Sequence, residues 1–406
     1  MIEPIVPDFG SRPYQIYEGD AMETLRRLAA GGVLFDCVVT SPPYYQQRRY
    51  GKDPRESGQE PDVSSFVASL VGLFGEVPLR PWANVWVNIG DKRKDGALLA
   101  VPDRFFVAMR DAGFFLLDEV VWAKEVVLAD GTSVGRCMTD PAGGRLNGNG
   151  WEPLFRFARH PGKAWSDVSA VRIPRDAKRF FHKGTEGMVG KDPKGGGGTG
   201  LPVEQHRYSA SMRCVTSLEG RVPSSVWQIG TSRSGRGHFS SFPRELVERP
   251  VAMTCPEYLV DDGGEIRPRE RIVEQTEYYE GPGKGKRIFG QYSLLNEHSG
   301  SPAPAGEGAE ERDAATREKA GRADYARQYI PRYPKTLGWT HADKPLAGPG
   351  IVLDPFVGTG TTGEVAILLG RRFVGIDLYP ESVSQATGRC EKAFEEFRSC
   401  MDGGRM

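Results

Sequence analysis

The stretch Gly350-Ile-Val-Leu-Asp354-Pro-Phe-Val-Gly358-Thr-Gly360-Thr-Thr-Gly363 reads as a buried strand that runs into a glycine-rich turn and opens a helix. A short apolar run closed by an Asp-Pro pair fits a strand covered on both faces. Residues 361–369 then read as an amphipathic helix, Arg372-Phe-Val-Gly-Ile-Asp377 as the next strand, and 381–397 as a closing helix. The same rhythm fills residues 14–160. Val33-Leu-Phe-Asp-Cys-Val-Val39 and Ala83-Asn-Val-Trp-Val-Asn-Ile89 read as strands. Between them Val63, Phe66, Val67, Leu70, Val71 and Phe74 mark one face of a crossover helix. A second helix over 102–112 and a strand over 114–122 follow. Strands alternating with helices predict an α/β fold, a doubly wound, mostly parallel, Rossmann-like sheet.

Two irregular zones interrupt this texture. Residues 156–237 hold 15 Lys and Arg against 6 Asp and Glu, a local charge of +9. Clustered cations of this kind are the footprint of a phosphate-bearing partner. Residues 257–349 carry 14 basic and 16 acidic residues and show no such bias. Within them, 301–322 is rich in Ala, Gly, Pro and charge, the composition of a flexible insert. No internal repeat is present.

The whole chain of 406 residues balances 53 basic against 53 acidic side chains, which excludes a bulk polycation. At roughly 100–200 residues per domain it allows two or three domains. With 39% apolar residues, 51 glycines and 30 prolines it can bury a good core but should carry long loops. No apolar run reaches the ~18 residues that a membrane helix needs, so no membrane partner is expected. Met1-Ile-Glu-Pro lacks the basic and apolar segments of a signal peptide. Six scattered cysteines form no C-x-x-C pair, so neither a disulfide framework nor a metal site is expected, and a cytoplasmic setting fits.

Two loops carry the candidate chemistry. In the first, Gly358-x-Gly360-x-x-Gly363 follows a strand, and Asp377 ends the next strand 19 residues after Gly358. Glycines let a backbone turn tightly against a ligand, and an acid at the neighbouring strand tip can hold ribose hydroxyls. That pattern also matches the dinucleotide fingerprint, so an NAD-dependent oxidoreductase competes. In the second, Thr40-Ser41-Pro42-Pro43-Tyr44 follows the 33–39 strand directly. Two prolines stiffen this turn and fix the Ser41 hydroxyl and the Pro42 carbonyl. Two acceptors beside the Tyr44 ring suit a flat heterocycle that bears an amine.

Ser41-Pro42-Pro43-Tyr44 and Phe356-Val-Gly358-Thr-Gly360 resemble the (Asp/Asn/Ser)-Pro-Pro-(Tyr/Phe) and Phe-x-Gly-x-Gly loops of the amino-methylating DNA methyltransferases. The order, catalytic loop first and cofactor loop last, is similar to their circularly permuted β group. Tyr17-Glu-Gly-Asp20, Val87-Asn-Ile-Gly-Asp91, Gly113-Phe-Phe, Trp122-Ala-Lys124, Glu152-Pro-Leu-Phe-Arg-Phe and His238-Phe-Ser-Ser-Phe242-Pro243 also fall in the family's order. The resemblance covers about 14–256 and 350–397. It implies a methyltransferase sheet divided into a catalytic half (1–159), a target-recognition region (160–237), a cofactor-pocket segment (238–256), an insert (257–349) and a half that binds S-adenosylmethionine (350–406). Families usually join 256 to the cofactor strand directly, so the insert is a departure.

By motif, Ser41, Pro42, Pro43 and Tyr44 would form the catalytic loop. Phe356, Gly358, Gly360, Thr361 and Thr362 would line the methionine part of the cofactor, and Asp354 and Thr359 would also belong to the cofactor site. Asp377 would take its ribose, Asp20 would sit by the adenine, and His238 with Phe242 would close the pocket. Asp20 reads equally as the N-cap of a helix over 21–28, and His238 as a loop histidine. Lys178, Arg179 and Lys183 are the expected DNA contacts. The reaction implied is methyl transfer from S-adenosylmethionine to the N4 amine of cytosine in double-stranded DNA, by base flipping and direct in-line transfer. N6 of adenine is the alternative target; the Ser form of the catalytic loop goes mostly with cytosine. No Pro-Cys pair exists, which argues against cytosine C5 chemistry. RNA or protein substrates, or a silent DNA binder, remain less favoured readings. A separately encoded restriction endonuclease is a candidate partner, and the chain is expected as a monomer or homodimer.

Overall fold

A computed structural model describes residues 2–127, 133–135, 150–171, 222–231, 243–273, 278–281, 285–288 and 336–402. Lys178, Arg179, Lys183, His238, Phe242 and the 301–322 stretch lie outside the described residues. The chain divides into two compact units, one comprising Met1–Val171, Pro223–Glu270 and Thr340–Met406, the other Arg172–Val222 and Arg271–Trp339. In the second unit Arg271–Val273 pairs antiparallel with Thr336–Trp339, and Tyr278–Gly281 pairs antiparallel with Gly285–Ile288.

The first unit holds an eight-stranded sheet: β1 (Tyr14–Glu18), β2 (Phe35–Thr40), β3 (Leu79–Asn88), β4 (Phe115–Ala123), β5 (Trp151–Ala158), β6 (Val226–Gln228), β7 (Ile351–Asp354) and β8 (Arg372–Asp377). Their spatial order is β1-β8-β7-β2-β3-β5-β4-β6. Every neighbouring pair is parallel except the two made by β5, which runs against β3 and β4. The mostly parallel α/β sheet expected from the sequence is present.

Among the described residues, six helices cover its faces. They are α1 (Ala21–Ala30), α2 (Val63–Glu76), α3 (Val101–Asp111), α4 (Arg244–Thr254), α5 (Thr361–Leu368) and α6 (Pro380–Asp402). Successive strand residues point to opposite faces, and the two cores follow that period. Val38, Val85 and Val87 join Leu25, Phe66, Leu70, Phe74 and Phe105 of α1, α2 and α3 in one core. Cys37, Val39 and Trp86 join Leu246, Val251, Val365, Ile367, Ala386 and Cys390 of α4, α5 and α6 in the other. Strands covered on both sides are mostly apolar; β2 is buried along its whole length, and its two polar residues, Asp36 and Thr40, are hydrogen-bonded.

Ends of elements are set by local chemistry. Asp20 accepts from Glu23 N at 2.9 Å and so is the N-cap of α1. Asp62 caps α2 through Ser65 N at 2.8 Å. Ala100 cannot cap α3, and Asp91 does so from outside the helix, accepting from Ala100 N and Val101 N at 3.1 and 3.0 Å. Of the 257–349 stretch, Leu259–Asp262, Glu265–Pro268 and Leu346–Gly348 form a small antiparallel sheet that belongs to the first unit. Among the described residues no helix is long and apolar enough to cross a membrane.

The order of strands matters most for the site. From β2 the chain proceeds outward through β3, and from β7 it proceeds the other way through β8. The two last strands of the sequence thus lie between β1 and β2, with Val352 beside Cys37 and Leu353 beside Val38. Such a reversal leaves a crevice at the carboxyl ends of the two diverging strands.

Candidate active site

A cleft of about 1250 Å³ opens there. Its walls include Asp20, Ser41, Pro43, Asp354, Phe356, Gly358, Thr359, Thr361 and Asp377, so residues from both ends of the sequence share one space. Pro42 is buried and is not among the residues that line the cleft. Gly360 lies behind the wall with φ 84°, where a Cβ would stand 2.7 Å from Ala386 Cα; only glycine fits both constraints.

Asp354 ties the two loops together from below. It is 1% exposed and accepts from Thr40 Oγ1 and Thr362 Oγ1, both at 2.7 Å, and from Phe356 N at 3.1 Å. The Thr362 hydroxyl is thereby committed to the fold. Burial pushes the Asp354 carboxyl up to about 6 against the downward pull of these donors. Asp36, under the start of β7, is likewise pushed up to about 6 by burial, while Ile351 N, Arg80 and Trp82 Nε1 pull it down. Both acids therefore have folded values above their ordinary 3.8. Below about 4 they are protonated in both states and carry no penalty; between about 4 and 6 only the unfolded chain ionises. Their contribution to stability is complete at the acid end of this window and is lost as pH rises through it. Urea titrations from pH 4 to 7 should show Asp36→Asn with a flatter pH dependence than the parent; an unchanged slope would contradict this.

Asp377 stands at the tip of β8, accepting from Gly358 N at 2.9 Å and Tyr379 N at 3.0 Å. Burial raises its pKa and these backbone donors oppose the shift. The carboxylate is held at the wall of the cleft, where a ligand bearing hydroxyl groups can reach it. Arg389 of α6 takes the Thr361 hydroxyl at 2.9 Å and the Thr359 hydroxyl at 3.3 Å, and pairs with Glu364 at 2.6 Å. Thr359 and Thr361 thus face the cleft with their hydroxyls already engaged, a restriction the motif did not reveal.

The other end of the site is polar and tightly connected. Tyr44 Oη lies 2.9 Å from Asn88 Oδ1, 2.8 Å from Glu152 Oε2 and 3.4 Å from Ser41 Oγ. Glu152 is paired with Lys124, whose ammonium also sits 5.1 Å from the Trp122 ring. Gly90 permits this packing, since a Cβ there would stand 2.5 Å from the Tyr44 ring. Burial, then the Glu152 charge, raise the Tyr44 pKa well above 10. Asn88, Lys124 and Glu152 lie in stretches that match the family's order, yet sequence reasoning gave them no role.

A third group was also missed. Glu56 is 6% exposed and accepts from Tyr50 N, Gly51 N and the Tyr379 hydroxyl, the last at 2.7 Å. That acid fastens the loop after Tyr44 to the turn after Asp377, and Arg48, Arg49 and Arg55 of this loop line the cleft. Irregular loops carry no periodic pattern, so only the fold reveals the contact.

Comparison with known proteins bears on this arrangement. A family model described as DNA methylase matches residues 35–264 and 345–388. The chain is 24% identical over 402 residues to the type II methyltransferase M.SfiI of Streptomyces fimbriatus, covering 92% of this chain and 88% of that one. It is 27% identical over 281 residues to the type II methyltransferase M.XycI of Xanthomonas campestris pv. cyanopsidis, covering 61% and 75%. The solved PvuII DNA methyltransferase, cytosine-N4-specific, aligns over 96% of this chain and 93% of its own at 14% identity, with a TM-score of 0.45.

Proposed function

The chain belongs to the DNA methylase family of N6/N4 methyltransferases, and from that premise we propose that it methylates the N4 amine of cytosine in double-stranded DNA. The observation that carries the reading is the shared cleft: the Ser41 loop and the Gly358 loop end adjacent strands and open onto one space. Family membership removes the NAD reading that the glycine loop alone allowed.

The methyl donor is S-adenosylmethionine, and the residues present suit it. Asp377 offers acceptors for ribose hydroxyls, Asp20 flanks the adenine end, and Gly358 keeps the wall open. Bound there, the cofactor supplies an electrophilic methyl group on a cationic sulfur. An exocyclic amine is a poor nucleophile because its lone pair is shared with the ring. The Ser41 hydroxyl and the Pro42 carbonyl accept its two N–H groups and favour a tetrahedral nitrogen, which returns density to the lone pair. Positioning and fixed dipoles then supply the acceleration. A base must leave the duplex to reach these groups, and the Tyr44 ring offers it a stacking face.

Cytosine is preferred over adenine on the strength of Ser41. An Asp there would accept with full charge, stronger by roughly a factor of two, and the Asp form of this loop accompanies adenine in the family resemblance. Digesting DNA methylated by the purified protein to nucleosides tests the assignment. N4-methylcytosine is expected; N6-methyladenine alone would overturn the choice of base and leave the methyltransferase reading standing.

Lys178, Arg179 and Lys183 are proposed to contact DNA phosphates, on the charge of +9 across 156–237. DNA affinity should fall steeply with salt, and replacing all three should reduce the slope of log affinity against log salt by about 0.9 per lost contact. An unchanged slope would remove this segment from the DNA face. Because the relatives are type II methyltransferases, a separately encoded endonuclease that cuts the same site is the proposed partner.

A further inference from the structure

The hydroxyl of Ser41 stands among acceptors. Its hydrogen-bond partners among the described residues are Tyr44 Oη at 3.4 Å and Asn88 Oδ1 at 3.5 Å. The Asn88 amide is oriented by Nδ2, which donates to the Pro153 carbonyl at 3.1 Å, so Oδ1 faces Ser41 and Tyr44. The Tyr44 hydroxyl has one proton and two acceptors, Asn88 Oδ1 at 2.9 Å and Glu152 Oε2 at 2.8 Å. A carboxylate is the stronger of the two, so that proton goes to Glu152. With its proton given away, Tyr44 Oη presents lone pairs to Ser41. The other Glu152 oxygen pairs with Lys124, and the two side chains are only 12% and 10% exposed, which fixes the charge in place. The distances to Ser41 are long, as such bonds often are before a substrate is bound.

A serine hydroxyl by itself donates or accepts with equal ease. We propose that the chain Ser41–Tyr44–Glu152 draws the Ser41 proton inward and turns its lone pair toward the target, so that the pocket selects a base bearing an exocyclic amine against the same base bearing a carbonyl. Glu152 and Tyr44 are positioning residues in this scheme, acting through Ser41, and Lys124 anchors the carboxylate. The inference rests on the reading of Ser41 as the group that meets the target base. Family loops accept Phe at the Tyr44 position, so Tyr44→Phe should fold.

The test uses a duplex carrying the site that sequencing of methylated host DNA identifies. Binding is measured without cofactor to that duplex and to one with the target deaminated, uracil for cytosine or hypoxanthine for adenine. The parent should prefer the amine duplex at least about tenfold, and Tyr44→Phe should lower that ratio by about threefold or more, because among the described residues Ser41 then keeps only Asn88 Oδ1, at 3.5 Å, as an acceptor. Glu152→Gln should act in the same direction, and the double variant should be no worse than Tyr44→Phe, since both cut one chain. Single-turnover methylation should fall in each variant while S-adenosylmethionine affinity stays within about twofold. Should Glu152→Gln fail to fold because it strands Lys124, Tyr44→Phe decides alone, as it leaves that ion pair intact. A parent-like ratio in Tyr44→Phe, or no preference in the parent, overturns the proposal. A parent that transfers no methyl group to any DNA would instead sink the functional reading beneath it.

Discussion

Ser41→Ala should lower turnover by about ten- to a thousandfold while leaving S-adenosylmethionine affinity within about twofold. The range is that of losing one oriented polar group at a transition state. Two features of the structure confine the effect to the chemical step. Ser41 borders the cleft, and among the described residues its partners are Tyr44 and Asn88, neither in the glycine loop. The link that holds the two loops together runs instead through Thr40 and Asp354, and the substitution leaves it untouched. Single-turnover rates at saturating cofactor, with calorimetry for binding, separate the two quantities. An alanine variant as fast as the parent would remove Ser41 from the reaction.

Asp377→Ala should weaken S-adenosylmethionine binding by about thirtyfold or more. Two hydrogen bonds to ribose hydroxyls, each worth about 1 kcal/mol, account for that much. The structure adds a second cost, because Gly358 N and Tyr379 N lose their acceptor and the glycine loop loses its tether to β8. Asp377→Asn retains an acceptor oxygen and should fall between alanine and the parent. Calorimetry that finds the alanine variant within about twofold of the parent would place the ribose elsewhere.

Local chemistry made much of this legible in advance. The apolar runs that became β2, β7 and β8, the spacing that became α2, and the two turn motifs are each properties of a few consecutive residues. Asp20 illustrates the limit: the sequence allowed both a helix cap and a cofactor contact, and the structure gives it the cap while leaving it at the cleft wall. Asp91 fell in a stretch that matched the family, yet both its carboxylate oxygens cap α3.

What the sequence could not supply is the set of neighbours. Thr40 and Asp354 are 314 positions apart, and they meet because β7 enters the sheet beside β2. An apolar run fixes that a strand is buried, not which strand lies next to it, since backbone pairing is nearly indifferent to side-chain identity. Strand direction is hidden for a similar reason. Alternation with period two reads the same along either direction, so nothing marked β5 as the strand that runs backwards. That reversal brings Glu152, at the beginning of β5, to the ends of β3 and β4, where Asn88, Lys124 and Tyr44 meet it. The sequence by itself thus determined β2, β3, β4, β7 and β8 with the helices between them, the two loops and the class of reaction they suit, but not β1, β5, β6 or α4; the tertiary structure alone decided which side chains surround Ser41, because that depends on strand order and direction rather than on any local pattern.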